Sequence, residues 1–470
     1  MNSIPRGDVP RNRRFPIGTA ALLAVAVPVA SPDPLTAQEA QEARIEEALA
    51  GIQDTIIRLR EHIHQYPELG NREFGTAELV ANHLRSLGFD EVHTGIAHTG
   101  VVGILRGGRP GPVVAVRADM DALPVTEDTP YPFRSTVRTT YLGQVGVSHA
   151  CGHDIHVAVQ LGVASVLASM RDEIPGTVKF IFQPAEEGPP PGEEGGAELM
   201  VVEGVLKDDP VPGAIFGLHS FAEMEVGKVG FTSGPALAAV DHFRIRIVGK
   251  QSHGAAPHLG IDPIVMASQA VAAFQTIRSR NLSPLEPSVV TVGIFRGGTR
   301  YNIIPNEVEL EGTVRTYNPD VRDAVERRMG EILAGVAAAG GGTYELDYDR
   351  GTPATINDPE LGARMLPTLE RVVGADNVVK LDPTMGGEDF AYFANEVPGF
   401  YFRLGQVLPG GTSGGHHTPD FQADNSAVPV GIRAMTHLLL DYLKAGRPAM
   451  EQARGPEDRV RQWRGRDTRR

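Results

Sequence analysis

Val113-Val114-Ala115-Val116-Arg117-Ala118-Asp119-Met120-Asp121 is a short apolar run that passes directly into two carboxylates. A run of this kind, rich in β-branched residues, predicts a strand buried in a sheet. The device recurs. Val178–Gln183 is an apolar run stopped by Pro184 and followed by Glu186 and Glu187, and Ala214–Leu218 is another, ending at His219. Around these runs the spacing turns helical. Residues 39–66 carry Ile45, Leu49, Ile52, Ile56, Leu59 and Ile63 near helical intervals. Residues 76–87, closed by Gly88, residues 154–170, with Asp154 placed to help cap the start, and residues 195–204 predict further helices. Strands alternating with helices predict an α/β layer: a mixed, mostly parallel sheet flanked by helices.

A second pattern starts near residue 230. Asp241–Val248 alternates in polarity, residues 262–280 are helical, Val289–Phe295 and Val308–Arg315 are strands, and Pro319 opens a helix to about Ala339. Gly340-Gly341-Gly342 breaks it, and Tyr344–Tyr348 is a last strand. The order β-α-β-β-α-β is that of a ferredoxin-like unit. The first pattern then resumes with a helix at 358–373, a strand near 378–381, Phe400–Leu404 and a helix at 426–444. The expected organisation is a larger domain over 39–230 and 351–446, interrupted by an inserted domain over 231–350.

The ends read differently. Arg11, Arg13 and Arg14 precede the apolar run Ile17–Ala30, then Pro-rich Ser31–Leu35 and Ala37-Gln38. This is the pattern of an export signal over residues 1–38, too short for a membrane span. It implies a periplasmic or secreted protein with no stable membrane span once the signal is removed. Residues 447–470 hold eight Arg against four acids with no apolar periodicity, and a disordered tail is expected there. The whole chain carries a formal charge of -14 although both ends are basic, so the body is strongly acidic. That excludes nucleic acid as the main partner, because phosphate binding needs a positive face. The lone cysteine, Cys151, can form no intrachain disulfide.

In open α/β sheets, ligands bind at the carboxyl ends of strands. Asp119 and Asp121, Glu186 and Glu187, and His219 all follow predicted strands. His149-Ala150-Cys151-Gly152-His153-Asp154-Ile155-His156 precedes a helix. Cysteine, histidine and carboxylate are the ligands of zinc and similar metals, and Gly152 permits a turn that lets Cys151 and His153 face one centre. The spacing matches no standard zinc finger, and a helix-start loop with a packed cysteine reads equally from these residues. Glu186 and Glu187, being adjacent, can divide two tasks, one ligating and one holding a water; a solvated acidic loop is the plain alternative. His219 alone reads as a hydrogen-bonded histidine, and His416-His417 as a surface pair. Together Asp119, Cys151, His153, Glu187, His219 and His417 form a set that two metals about 3.5–4 Å apart would use.

Five segments carry a resemblance. They are Arg117-Ala118-Asp119-Met120-Asp121-Ala122-Leu123-Pro124, His149-Ala150-Cys151-Gly152-His153-Asp154, Pro184-Ala185-Glu186-Glu187-Gly188, Gly217-Leu218-His219 and Met385-Gly386-Gly387-Glu388-Asp389-Phe390. In this order they resemble the N-acyl-amino-acid amidohydrolase branch of the aminoacylase and carboxypeptidase family of co-catalytic metallopeptidases. That branch holds hippurate hydrolases, N-acetyl-amino-acid deacetylases and indole-acetyl-amino-acid hydrolases. The resemblance implies a zinc-exopeptidase-like fold with an inserted lid and dimerisation domain, and a homodimer formed through it. It implies two divalent ions, zinc or manganese with cobalt or nickel as alternatives, held by Cys151, His153, Glu187, His219 and His417. The Cys151 thiolate would bridge them where the wider family has an aspartate. The spacing to Thr418-Pro419 favours His417 over His416.

Further roles follow from the same resemblance. Glu186 is implied as general base and acid. His253, in Gly249-Lys250-Gln251-Ser252-His253-Gly254, is implied as an oxyanion donor that in dimeric relatives reaches the other subunit's site. Asn302, in Arg300-Tyr301-Asn302, would contact substrate. Asp119 stands where relatives outside the branch have a ligand histidine, so Asp119 and Asp121 are expected around the ions. Arg315 is expected either to hold the substrate carboxylate or to serve as a structural strand residue. The implied reaction is hydrolysis of a small N-acyl-amino acid to a carboxylic acid and an amino acid. The rivals are a carboxypeptidase or dipeptidase of the same superfamily, an exported metal- or ligand-binding protein, and an enzyme using Cys151 as nucleophile.

Overall fold

A computed structural model describes residues 1, 7, 34–141, 143 and 145–446. Most of the expected signal segment, and the tail 447–470, lie outside the described residues. The chain separates into two compact units, Met1–Arg44 and Ile45–Arg470. In the first, the described chain is helical from Pro34, and Gln38 donates to Glu42 one turn on at 3.1 Å.

In the second unit, eight strands form one sheet. From edge to edge the order is Glu91–Ile96, Gly100–Arg106, Pro175–Gln183, Arg109–Asp119, Ile215–Glu225, Gly399–Val407, Val229–Phe231 and Val378–Lys380. The four central strands, from Pro175–Gln183 to Gly399–Val407, run parallel, and antiparallel pairs lie towards both edges. The expected mixed, mostly parallel sheet is therefore present.

Because side chains alternate across a strand, each central strand serves two layers. Val114, Val116 and Ala118 join Phe180, Phe182, Phe216, Phe400 and Phe402 in the larger core, covered by the helices His153–Ser169, Pro359–Val373 and Ala427–Ala445. The helix His153–Ser169 is buried almost throughout, which its apolar circumference demands. The intervening residues Ala115, Ile181, Ile215 and Tyr401 form a smaller core with Met200, Phe390 and Phe393. Continuing two by two along that second face come Arg117 and Asp119, Gln183, His219, and Arg403. Polar residues thus gather where the smaller core ends.

The chain from Ala239 to Arg350 builds a second, four-stranded sheet in the order Ser288–Gly297, Glu307–Thr316, Ala239–Val248, Thr343–Arg350, all antiparallel. Phe243, Ile245, Ile247, Leu310 and Val314 face the helices Pro263–Thr276 and Pro319–Gly340 through Met266, Phe274, Val325 and Leu333. Both helices start as their sequences demand. Each has proline at its first position, Asp262 caps one from its side chain, and Asn318 caps the other. The topology is the expected ferredoxin-like one.

Several expectations are corrected. Asp154 does not cap its helix: Gly152, at φ +87°, is the cap, and Asp154 binds Arg60 and His64. The strand read as ending at His219 continues to Glu225, so His219 lies within it. The helix expected over 262–280 is regular only to Thr276 and closes in a π turn over Ile277–Asn281. The first helix begins at Pro34, five residues before position 39. The edge strand Glu91–Ile96 and the helix Phe390–Glu396 escaped the sequence reading, the strand because mixed polarity hides it and the helix because seven residues are too few to show a helical period.

Candidate metal centre and active site

Cys151 stands at the turn into the helix His153–Ser169. Gly152 makes that turn, and any side chain there would collide with Ser220 Oγ at 2.1 Å. The buried Cys151 Sγ lies 3.5 Å from His219 Nε2 and 3.5 Å from His416 Nδ1. His219 Nδ1 donates to the Ser220 carbonyl at 2.6 Å, so the neutral ring directs the lone pair of Nε2 at the sulfur. His153 is held in the same way. Its Nδ1 sits 2.9 Å from the Asp121 carbonyl and 3.2 Å from Asp121 Oδ1. Its Nε2 is buried without a hydrogen-bond partner, 3.8 Å from Glu186 Oε2.

Asp121 also accepts the Glu187 N–H at 2.9 Å through its other oxygen, so one carboxylate fixes both His153 and Glu187. Glu187 Oε1 lies 2.9 Å from His417 Nε2, yet is buried without a hydrogen bond of proper alignment. His417 reaches it through a left-handed backbone, φ +68°, with its N–H on the Ala150 carbonyl at 2.8 Å. The closeness of Cys151 and then of Glu187 pushes His417 up to about 10, so positive charge is favoured at the point where these side chains meet. The ligand atoms of Cys151, His153 and His219 lie within 4.8 Å of one another, and so do those of Cys151, Glu187 and His417, and of His153, Glu186 and Glu187. Thiolate, imidazole and carboxylate around one sulfur fit a pair of divalent ions. His416 differs from His417: with one nitrogen beside the sulfur, its Nε2 accepts the Ala222 N–H at 3.2 Å, and burial followed by the charge of Arg403 presses it down to about 3.

Behind the donors lies a buried charge network. Asp119 binds His156 Nδ1 at 2.5 Å and Arg117 at 2.7 Å. Arg117 also reaches Gln183, Glu388 and Asp389. Glu186 shares its surroundings with Glu388 and Asp389, and burial followed by the charges of Glu388, Glu187 and Asp389 holds its carboxyl well above the usual range. A carboxyl whose proton affinity is raised by burial and by neighbouring carboxylates is suited to general acid and base work.

A model of the family described as Peptidase family M20/M25/M40 matches residues 115–441. The chain belongs to this family. As a member of peptidase family M20/M25/M40 it is a hydrolase acting on amide bonds. It is 39% identical over 392 residues to thermostable carboxypeptidase 1 of Saccharolobus solfataricus, covering 83% of this chain and 95% of that one. It is 42% identical over 324 residues to an N-acyl-L-amino acid amidohydrolase of Geobacillus stearothermophilus, covering 68% and 84%. Among solved structures, it superposes on a dinuclear metal binding peptidase of the M20 family from Bacillus subtilis. The TM-score is 0.70 and the identity 34%, over 84% of this chain and 99% of that one.

The M20 chain brings Asp119, Asp121, Cys151, His153, Glu186, Glu187, His219 and His417 together. Among the described residues it does not bring His253 to them: His253 is exposed on the short strand Ser252–His253, with Nδ1 accepting the Ala255 N–H at 3.0 Å. Asn302 lies beside it in the same loop pair, its Oδ1 buried without a partner. Arg315 bonds Thr313 at 3.0 Å and the Met385 carbonyl at 3.5 Å, joining the inserted sheet to the Met385–Phe390 motif. Sequence reasoning gave no role to Arg117, His156, Glu388 and Asp389, although all four sit in or beside quoted motifs. It missed Glu73 altogether. Burial, and then Asp121, push that carboxyl up to about 8, and it accepts the Ala185 N–H at 2.8 Å just before Glu186. One acid in a mixed helix-start segment carries no signal of that contact.

Proposed function

We propose that the chain is a two-metal amidohydrolase that cleaves the amide bond of small N-acyl-amino acids, releasing a carboxylic acid and an amino acid. The observation that carries this reading is the convergence of His219 Nε2, His153, Glu187 and His417 around the single thiol of Cys151. Cys151, His153, Glu187, His219 and His417 would hold the ions, with zinc or manganese suiting this donor set and cobalt or nickel as substitutes. The dinuclear centre named for the Bacillus subtilis structure supports the count of two. When bound, such ions polarise the amide carbonyl and acidify water. Glu186 takes the proton of the attacking water and returns it to the leaving amine nitrogen. Asp121 and Asp119 keep His153 and Glu187 in place during both transfers, directly and through His156 and Arg117. His253 would donate to the oxyanion, and Asn302 and Arg315 would meet substrate once the inserted domain approaches. A homodimer through that domain and export directed by the Arg11–Ala30 segment belong to the same proposal. Cleavage of the signal would be seen in the mass of the mature chain.

The test is hydrolysis of hippurate, a panel of N-acetyl-amino acids and a set of dipeptides by the purified chain, before and after chelation and with metal added back. Chelator-sensitive release of amino acid from the acylated panel supports the reading. Release from peptides alone moves the chain to the carboxypeptidase reading, which the 39% identity to the Saccharolobus solfataricus enzyme favours.

A further inference from the structure

Two arginines share the face of the sheet that bears the metal centre, and their situations are opposite. Arg117 is buried and saturated by Asp119, Gln183, Glu388 and Asp389. Arg403 pairs in register with His219 on the adjacent parallel strand. Neighbouring strands lie about 4.8 Å apart and paired residues point to the same face, so Arg403 extends the row of Asp119 and His219 by one strand. Its guanidinium stacks 5.6 Å from the centroid of Phe221 and 5.7 Å from that of Tyr401. Phe221 in turn stacks on His416, whose Nδ1 touches Cys151. Among the described residues Arg403 forms neither a hydrogen bond nor an ion pair through its side chain. It is partly exposed and lines a cavity with Phe221, Tyr401, Thr232, Thr384 and Asp382. Five N–H donors resting against two aromatic rings, partly exposed and lacking an acceptor, are a preorganised fork for a planar anion.

We propose that Arg403 anchors a carboxylate of the substrate, and so helps to select N-acylated amino acids over neutral amides. The inference rests on the amidohydrolase reading above and deepens it. The two ring contacts restrict the guanidinium, which lowers the entropy lost on forming a bidentate pair. The place beside His219 would put the anchored group near the reacting amide on the sheet's own side, while Arg315 stands on the inserted sheet, bonded to Thr313 and the Met385 carbonyl. Asp382 lines the same cavity; if Arg403 were only its counterion, Asp382→Asn and Arg403→Met would change folding alike and binding not at all.

The experiment measures KM and kcat for the metal-loaded wild type, Arg403→Met and Arg403→Lys with N-acetyl-methionine and N-acetyl-glutamate, after thermal melts show that each variant folds. Arg403→Met keeps the packing and loses the fork, and KM is expected to rise roughly ten- to hundredfold, the usual worth of a charged hydrogen-bonded pair, with Arg403→Lys in between. A rise for both compounds assigns the fork to the α-carboxylate, and a rise for N-acetyl-glutamate alone assigns it to an acidic side chain. An unchanged KM for both overturns the proposal. Wild-type chain that turns over neither compound would instead sink the amidohydrolase reading. Calorimetric titration of the same compounds into wild type and Arg403→Met then decides the anchor, equal affinities overturning it.

Discussion

At the scale of the residue, the site depends on small differences between neighbours. Glu186 and Glu187 are adjacent, yet Glu187 converges with His417 while Glu186 is crowded by Glu388 and Asp389. Glu186→Gln keeps the shape of the side chain and removes the proton transfer proposed for it. It is expected to lower kcat by roughly 10²–10⁴-fold, with metal content unchanged in mass spectrometry of the native protein. His416 and His417 differ in the same way. His417 approaches Glu187, whereas His416 spends one nitrogen on the Ala222 N–H and lies near the sulfur with the other. His417→Ala is expected to reduce the metal bound per chain, while His416→Ala leaves the stoichiometry intact; the reverse result would exchange their roles. Sequence spacing pointed to His417, but no pattern could reveal the left-handed backbone from which its ring meets Glu187.

At the scale of the element, what was legible follows from burial. Strands and helices with a continuous apolar face were readable because periodicity and burial are one signal. The turn after Pro175–Gln183 was not, since it is held by a residue distant in sequence. Ala185 has φ +49°, and its N–H is accepted by Glu73. With its carboxyl at about 8, Glu73 is protonated at neutral pH, so Gln is a close mimic and Ala is not. Glu73→Ala leaves a buried donor unmet, at about 1–3 kcal/mol, and displaces Glu186. Glu73→Gln is expected to retain most activity and stability, which steady-state assays and urea melts of the pair will compare. A second contact links the helices Phe74–Ser86 and His153–Ser169: His83 Nε2 meets Ser165 Oγ at 2.9 Å. Burial depresses His83 below its ordinary 6.5. The folded state therefore resists protonation more than the unfolded one, so this stability is present above 6.5 and is lost as pH falls through the folded value. The urea midpoint should fall on acidification through this window, and less steeply in His83→Gln.

At the scale of the whole molecule, the metal centre and the loop of His253 belong to two different sheets, and the sequence order alone could not say whether they meet. His253 Nδ1 accepts a backbone N–H, which leaves the proton of the neutral ring on Nε2, ready to donate outward. Among the described residues no member of the Cys151 cluster receives it. For His253 to serve as the proposed oxyanion donor, either the inserted domain closes onto its own site or a second copy supplies the histidine. The two routes separate in a mixing experiment. His253→Ala and Glu186→Gln are each expected to be nearly inactive alone. If His253 acts across a dimer, a mixed dimer holds one site with both groups intact and one with neither. Random exchange of equal amounts then restores about a quarter of the wild-type activity, half the dimers being mixed and half their sites intact. Action within one chain predicts no recovery, because every chain lacks one of the two groups. Sedimentation of the same mixtures distinguishes that outcome from a chain that never dimerises, and dimers without recovery would place His253 over its own Glu186.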